Sequence, residues 1–253
     1  MSDELLHFGR AQAGVAVSLK RNRTHIPKRS DTMSTSPNLN WQPSLFEVAV
    51  APSVDEAFPS LTRIQLDPDS WIDHAPGWVA GSDALFEELL ETKDWGQRSR
   101  PMYDKRVVEP RLTSLWRATA GEPLEPQLLD RMRLVLSERY GVDFDSVGFN
   151  LYRDGRDSVA WHGDRISKEI EDPIVALVSI GEPRKFLVRP KEGGTSRAFL
   201  LGRGDLLVTG GKMQRTWDHS VPKVASAGPR ISIAYRHGLD RTIYDNAQAT
   251  EPG

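Results

Sequence analysis

The sequence predicts an α+β fold in which helices come first and pack against one sheet of a strand-rich half, a sandwich or a jelly roll. Three observations predict it. Apolar residues recur at helical spacing over 82–93 and 124–140. Beyond residue 146 the pattern changes to seven or eight short runs of β-forming residues. Turn residues separate those runs at close intervals.

In the first helix Leu85, Phe86, Leu89 and Leu90 share a face, and Ser82 is placed to cap its N-terminus. In the second, Leu128, Leu129, Met132, Val135 and Leu136 form one stripe. Pro126 suits its first turn and Gly141 its stop. Both stripes read as core. The expected strands are 147–153, 158–162, 174–180, 185–189, 197–201, 205–209 and 230–237. Asp154-Gly155, Gly181-Glu182-Pro183, Gly193-Gly194, Gly202-Arg203-Gly204 and Gly210-Gly211 supply the turns between them.

Composition narrows the function. Net charge is −2, which excludes a globally basic binder but not a local basic patch. Cysteine is absent, which removes disulfides, zinc ribbons, iron–sulfur clusters and thiol nucleophiles. No apolar run approaches the roughly 18 residues of a membrane span, and no apolar signal core stands at the N-terminus. The expectation is a cytoplasmic monomer with no membrane contact. Residues 1–40 read as a disordered basic arm, since 1–32 hold six basic and three acidic side chains and few apolar ones. Residues 41–123 read as an N-terminal extension with a lid, 124–240 as helix and barrel core, and 241–253 as a flexible tail.

Of six histidines, His7 and His25 fall in the arm, and His74 in a loop flanked by Pro and Gly. His162 and Asp164, in Trp161-His162-Gly163-Asp164, are two apart, so in extended chain both project to one side. Alone, such a pair reads as a surface turn. With His219 from Trp217-Asp218-His219-Ser220, it completes two histidines and one carboxylate, the facial set that leaves positions open on non-haem Fe(II). Downstream, Arg230, Ser232, Ala234 and Arg236 share one strand face, while Ile231, Ile233 and Tyr235 share the other. Two arginines turned into a barrel are costly without anions. A dicarboxylate supplies them, and the guanidinium fork matches carboxylate.

Asn150-Leu151-Tyr152, His162-Gly163-Asp164, Gly204-Asp205 with Gly210-Gly211, His219, and Arg230 through Arg236 stand in order over about 146–238. Together they resemble the AlkB-like 2-oxoglutarate- and Fe(II)-dependent dioxygenases. Pro110-Arg111-Leu112-Thr113 and Trp161 are similar to segments of the nucleic-acid-repairing members. The resemblance implies a double-stranded β-helix and a dioxygenase using Fe(II), 2-oxoglutarate and O2. It implies His162, Asp164 and His219 as iron ligands. Asn150, Tyr152, Arg230, Ser232 and Arg236 would serve the cosubstrate, with Arg230 on its distal carboxylate and Arg236 also orienting Asp164. The implied reaction hydroxylates an alkyl carbon on a base nitrogen, and the hemiaminal collapses to an aldehyde and the repaired base.

Between residues 98 and 117 lie Arg98, Arg100, Lys105, Arg106, Arg111 and Arg117, opposed only by Asp104 and Glu109. Trp95, Met102, Tyr103 and Trp116 are interleaved. Basic plus aromatic suits phosphates and unstacked bases, and chemistry on a base requires it out of the stack. The resemblance puts a substrate-covering lid here. Trp95 or Tyr103 would stack on the base, with Met102, Arg111 and Trp161 nearby. Lys212, Arg215 and Lys223 are further candidates for binding phosphate. Repairing members often continue with acidic residues after the metal-binding Asp. Here Arg165 and Ile166 follow Asp164, and Arg165 would reach a phosphate. The expected partner is alkylated DNA, with RNA as the alternative. A related dioxygenase acting on an RNA base, a protein or a small molecule is the competing reading.

Overall fold

The computed structural model describes residues 39, 41–44, 50–102, 105–164 and 166–238, with backbone alone at 100–102 and 105–107. The expected arm, but for Leu39, and the expected tail lie outside the described residues. The elements run β1 (Ser53–Val54), β2 (Thr62–Asp67), β3 (Ser70–Ala75), β4 (Val79–Ala80), α1 (Ser82–Thr92), β5 (Ser99–Met102), β6 (Lys105–Val108) and β7 (Leu112–Arg117). They continue with α2 (Gln127–Tyr140), β8 (Ser146–Tyr152), β9 (Val159–His162), β10 (Val175–Gly181), β11 (Arg184–Pro190) and β12 (Arg197–Leu201). The last are β13 (Asp205–Gly211), α3 (Met213–Thr216), β14 (Trp217–Val221) and β15 (Arg230–Arg236).

Seven strands form one sheet in the order β2-β3-β13-β10-β15-β8-β7, and four form a second in the order β12-β11-β14-β9. Every pairing in both sheets is antiparallel. From β8 onward the chain passes back and forth between the sheets, which is the winding of a jelly roll.

The period-2 alternation of the strands divides the interior in two. On one face of the large sheet, Val147, Phe149 and Leu151 of β8, Ala176, Val178 and Ile180 of β10, and Ile231, Ile233 and Tyr235 of β15 pack with the buried stripes of α1 and α2. On the other face, Tyr152, Val175, Leu177, Leu207 and Ala234 meet Phe186, Val188 and Val221 of the small sheet. Central strands therefore have no solvent face, and all seven residues of β10 are buried. Each fully buried large side chain is worth about 1.5–3 kcal/mol. The Tyr235 hydroxyl ties the layers by donating to the Leu129 carbonyl at 3.1 Å.

The helices stand where the stripes put them, and Gly141 ends α2 at φ 66°, its N–H bonded to the Ser137 carbonyl. Three expectations need correction. Ser82 does not cap α1; the chain enters through Gly81 at φ 62°. A Cβ at Gly81 would meet the Val50 carbonyl oxygen at 2.4 Å, so both contact and conformation require glycine there. Strands do not begin at residue 146, since the β2–β3 hairpin and β7 extend the large sheet at its two edges. His74 lies in β3, paired across to Leu207, not in a loop.

Candidate active site

His162 ends β9 and His219 lies in β14, directly opposite it in register. Their ring centroids are 4.3 Å apart. Asp164 follows two residues beyond the strand, and ligand atoms of all three lie within 4.8 Å of one another. Oδ2 of Asp164 is 3.9 Å from Nε2 of His219. His162 Nδ1–H donates to the Ala160 carbonyl at 2.8 Å, which fixes the tautomer and leaves the lone pair on Nε2. The His219 ring is buried and stacks on Phe186 at 5.2 Å.

Asp164 is held from two sides. Arg236 Nε donates to its Oδ1 at 2.9 Å. Its backbone N–H donates to Gln214 Oε1 at 3.0 Å, and Gln214 Nε2 donates to Thr209 Oγ1 at 2.9 Å. Burial would raise the Asp164 carboxyl, but the Arg236 guanidinium and then the two imidazoles outweigh it and hold the group at about 2. Burial drives the His219 imidazole down to about 3. Carboxylate and neutral imidazole are the forms a metal ligand needs.

The inner face of the large sheet carries a polar row beside the triad. Asn150 of β8 faces Ser232 of β15, which faces Ser179 of β10. In the adjoining row Tyr152 faces Arg230. Arg230 is 1% exposed, and its Nη2 donates to Ser179 Oγ at 2.6 Å. Its Nε and Nη1 have no hydrogen-bond partner among the described residues. Burial pulls its pKa down to about 10. Gly148 makes room for Arg236, since a Cβ there would lie 2.9 Å from Nη1.

A family model described as the 2OG-Fe(II) oxygenase superfamily matches residues 80–236. The chain belongs to that superfamily. Alpha-ketoglutarate-dependent dioxygenase alkB homolog 3 of Bos taurus is 28% identical over 233 residues, covering 83% of this chain and 76% of the relative. DNA oxidative demethylase ALKBH2 of Arabidopsis thaliana is 33% identical over 193 residues, 60% of each. The solved structure of OsALKBH1 shares the fold, with a TM-score of 0.51 at 16% identity, over 69% of this chain and 100% of that one.

As a 2OG-Fe(II) oxygenase of AlkB-like type, the protein uses Fe(II), 2-oxoglutarate and O2. Its residues fit both groups. Asp164 Oδ2 is buried without a hydrogen-bond partner among the described residues and lies beside two imidazoles, the donor set such an iron takes. The two open donor positions of Arg230 suit a carboxylate.

The oxygenase site gathers the expected His162, Asp164 and His219, and the expected Asn150, Tyr152, Arg230, Ser232 and Arg236 line its inner face. The substrate residues are another matter. Trp95 is half-buried against the helix-side core and donates to the Leu90 carbonyl. Arg111 is not a phosphate-facing cation. Its guanidinium pairs with Glu109 at 3.0 Å and donates from Nε to Asn150 Oδ1 at 2.9 Å, with the side chain 11% exposed. Arg215 likewise turns inward and clamps the carbonyls of Ile166, Ser167 and Ile170. Trp161 carries the Arg189 guanidinium 4.1 Å over its ring. Met102 lies in β5, described in backbone only, and Tyr103 and Arg165 lie outside the described residues.

Sequence reasoning missed Ser179, Gln214 and Arg184. Ser179 did leave a signal, as a polar residue at an inward position of an apolar strand. A cavity of about 800 Å³ opens elsewhere, between Glu109, Pro110, Arg153, Asp157, Lys223 and Gly228. Its wall includes no triad residue, and Arg153 and Arg156 are there neutralised by Asp157 and Asp154.

Proposed function

We propose that this protein oxidatively removes alkyl groups from N-alkylated bases of DNA and so repairs alkylation damage directly. The observation that carries the reading is the His162–Asp164–His219 cluster beside a buried Arg230 with two donors left open among the described residues, in a chain related to proteins named DNA oxidative demethylase. His162, Asp164 and His219 would hold Fe(II). Arg230 pairs with the distal carboxylate of 2-oxoglutarate, helped by Asn150, Tyr152 and Ser232. Because Arg111 occupies Oδ1 of Asn150, the Asn150 amide is left as a donor. Arg236 orients Asp164.

Bound iron with 2-oxoglutarate and O2 supplies oxidation of an alkyl C–H bond, after which the N-alkyl group leaves as an aldehyde. The polypeptide binds, orients and covers the base. The β5–β6 hairpin, with Arg98, Arg100, Lys105 and Arg106 in and beside it, is the lid.

Mass spectrometry after incubation with Fe(II), 2-oxoglutarate and a panel of alkylated single- and double-stranded DNA and RNA tests this. Unalkylated bases in DNA are expected. Consumption of 2-oxoglutarate with every nucleic acid unchanged would point to a protein or small-molecule hydroxylase.

A further inference from the structure

A second guanidinium is buried near Arg230 with no task in the reaction so far. Arg184 opens β11 and is 3% exposed. Its Nη1 donates to the Asp154 carbonyl at 3.0 Å, and its Nη2 to the carbonyls of Asp157 and Pro222 at 3.0 and 2.8 Å. Its Nε has no hydrogen-bond partner among the described residues. None of those partners is a carboxylate. The Asp154 and Asp157 side chains are instead engaged by Arg156 and Arg153.

Arg184 and Arg230 converge on one ring. Their guanidinium carbons lie 5.8 and 5.3 Å from the centroid of Tyr152. Burial lowers both pKas, and Arg184 lowers that of Arg230 further. A carbonyl clasp needs donors but no net charge. The carboxylates of Asp157 and Asp154 offset the burial of Arg184 only in part, and two desolvated guanidiniums against one ring cost stability unless a further anion joins them. Along β11 the buried positions that share its face, Phe186 and Val188, are apolar.

We propose that Arg184 is a positioning residue for the cosubstrate: its charge, beside Tyr152, adds to that of Arg230 in selecting a 2-oxo acid that carries a second carboxylate. This rests on assigning the Tyr152–Arg230 end of the pocket to the distal carboxylate. A unit charge acting over about 10 Å at an effective dielectric near 20 is worth roughly tenfold in affinity.

The test is calorimetric titration of the full chain loaded with redox-inert Zn(II). The ligands are 2-oxoglutarate and 2-oxopentanoate, which ends in a methyl group instead of the distal carboxylate. Arg184→Gln should weaken 2-oxoglutarate about tenfold and leave 2-oxopentanoate nearly unchanged. Arg184→Lys, which keeps charge but not the three-carbonyl clasp, should restore most of the preference. Equal weakening of both acids, or failure of Lys to rescue, would make Arg184 a clasp only and overturn the proposal. Arg230→Gln separates the two assignments. If it abolishes the preference while Arg184→Gln does not, only the Arg184 inference falls. If it leaves the preference intact, the pocket assignment falls and takes the inference with it. Should Arg184→Gln fail to fold, the wild-type Arg184 Nε–H resonance decides. It should shift on adding 2-oxoglutarate but not 2-oxopentanoate, and a resonance unmoved by both overturns the proposal.

Discussion

Arg236 donates to one oxygen of Asp164, Oδ1, and so leaves the other, Oδ2, as the buried oxygen facing the histidines. The metal site is thus assembled by a strand that contributes no metal ligand. Arg236→Met should weaken metal binding by about 10–100-fold, the usual cost of losing a group that orients a ligand. Gly148→Ala should act in the same direction and more weakly, because its Cβ would intrude on Arg236 Nη1. Metal titration followed by thermal shift reads both, and unchanged affinity in Arg236→Met would contradict this role.

The inward turn of Arg111 separates two properties that its basic character would merge. Arg111→Ala should raise the Michaelis constant for 2-oxoglutarate by freeing Asn150. It should leave the salt dependence of oligonucleotide binding untouched. Arg100→Ala with Arg106→Ala should do the reverse, lowering the salt slope by about one to two units, since each phosphate left without its cation removes roughly one. Binding isotherms at several salt concentrations decide between them, and a reduced slope in Arg111→Ala would sink the distinction.

His237 links stability to pH. Its Nε2 accepts the Ile174 N–H at 2.9 Å, which only a neutral ring can do. The Phe144 ring packs edge-on against it, and Asp145 is the acidic group facing it. Burial lowers its pKa below the ordinary 6.5, with Asp145 partly opposing. The folded state therefore binds fewer protons than the unfolded state once pH falls below 6.5. Stability from this residue is complete above 6.5 and is lost as pH drops from there toward the folded pKa. His237→Gln keeps an acceptor and removes the titration, so its acid-side loss in denaturation midpoint should be shallower. Parallel pH profiles for the two proteins would refute the linkage.

The parts of the fold legible in the sequence are those dictated by local period. The strands after residue 146 alternate and are bounded by glycine turns, and the face carrying Arg230, Ser232 and Arg236 follows from spacing alone. The β2–β3 hairpin is not legible, because a charged residue sits in the middle of a strand. Asp73 is 1% exposed, and partners on other segments satisfy it: Arg63 across the hairpin at 2.7 Å and Tyr140 from α2 at 3.0 Å. The expectations for Arg111 and Arg215 fail for the same reason. A basic side chain carries no mark in the sequence of whether it meets phosphate or a carbonyl, and the Asn150 and Ser167 oxygens that turn these two inward lie dozens of residues away along the chain. The triad is legible because chemistry restricts which residues bind such an iron, whereas Gln214 supports Asp164 through a hydrogen bond with no sequence signature.

The most direct test is stoichiometric. Wild-type protein with Fe(II), 2-oxoglutarate and an N-methylated DNA oligonucleotide is assayed in one reaction for succinate, formaldehyde and restored base, beside Asp164→Ala. The account predicts the three products in equal amounts from wild type and none from the variant, which should remain folded. Restored base from Asp164→Ala, or succinate from wild type without formaldehyde and restored base, would contradict it.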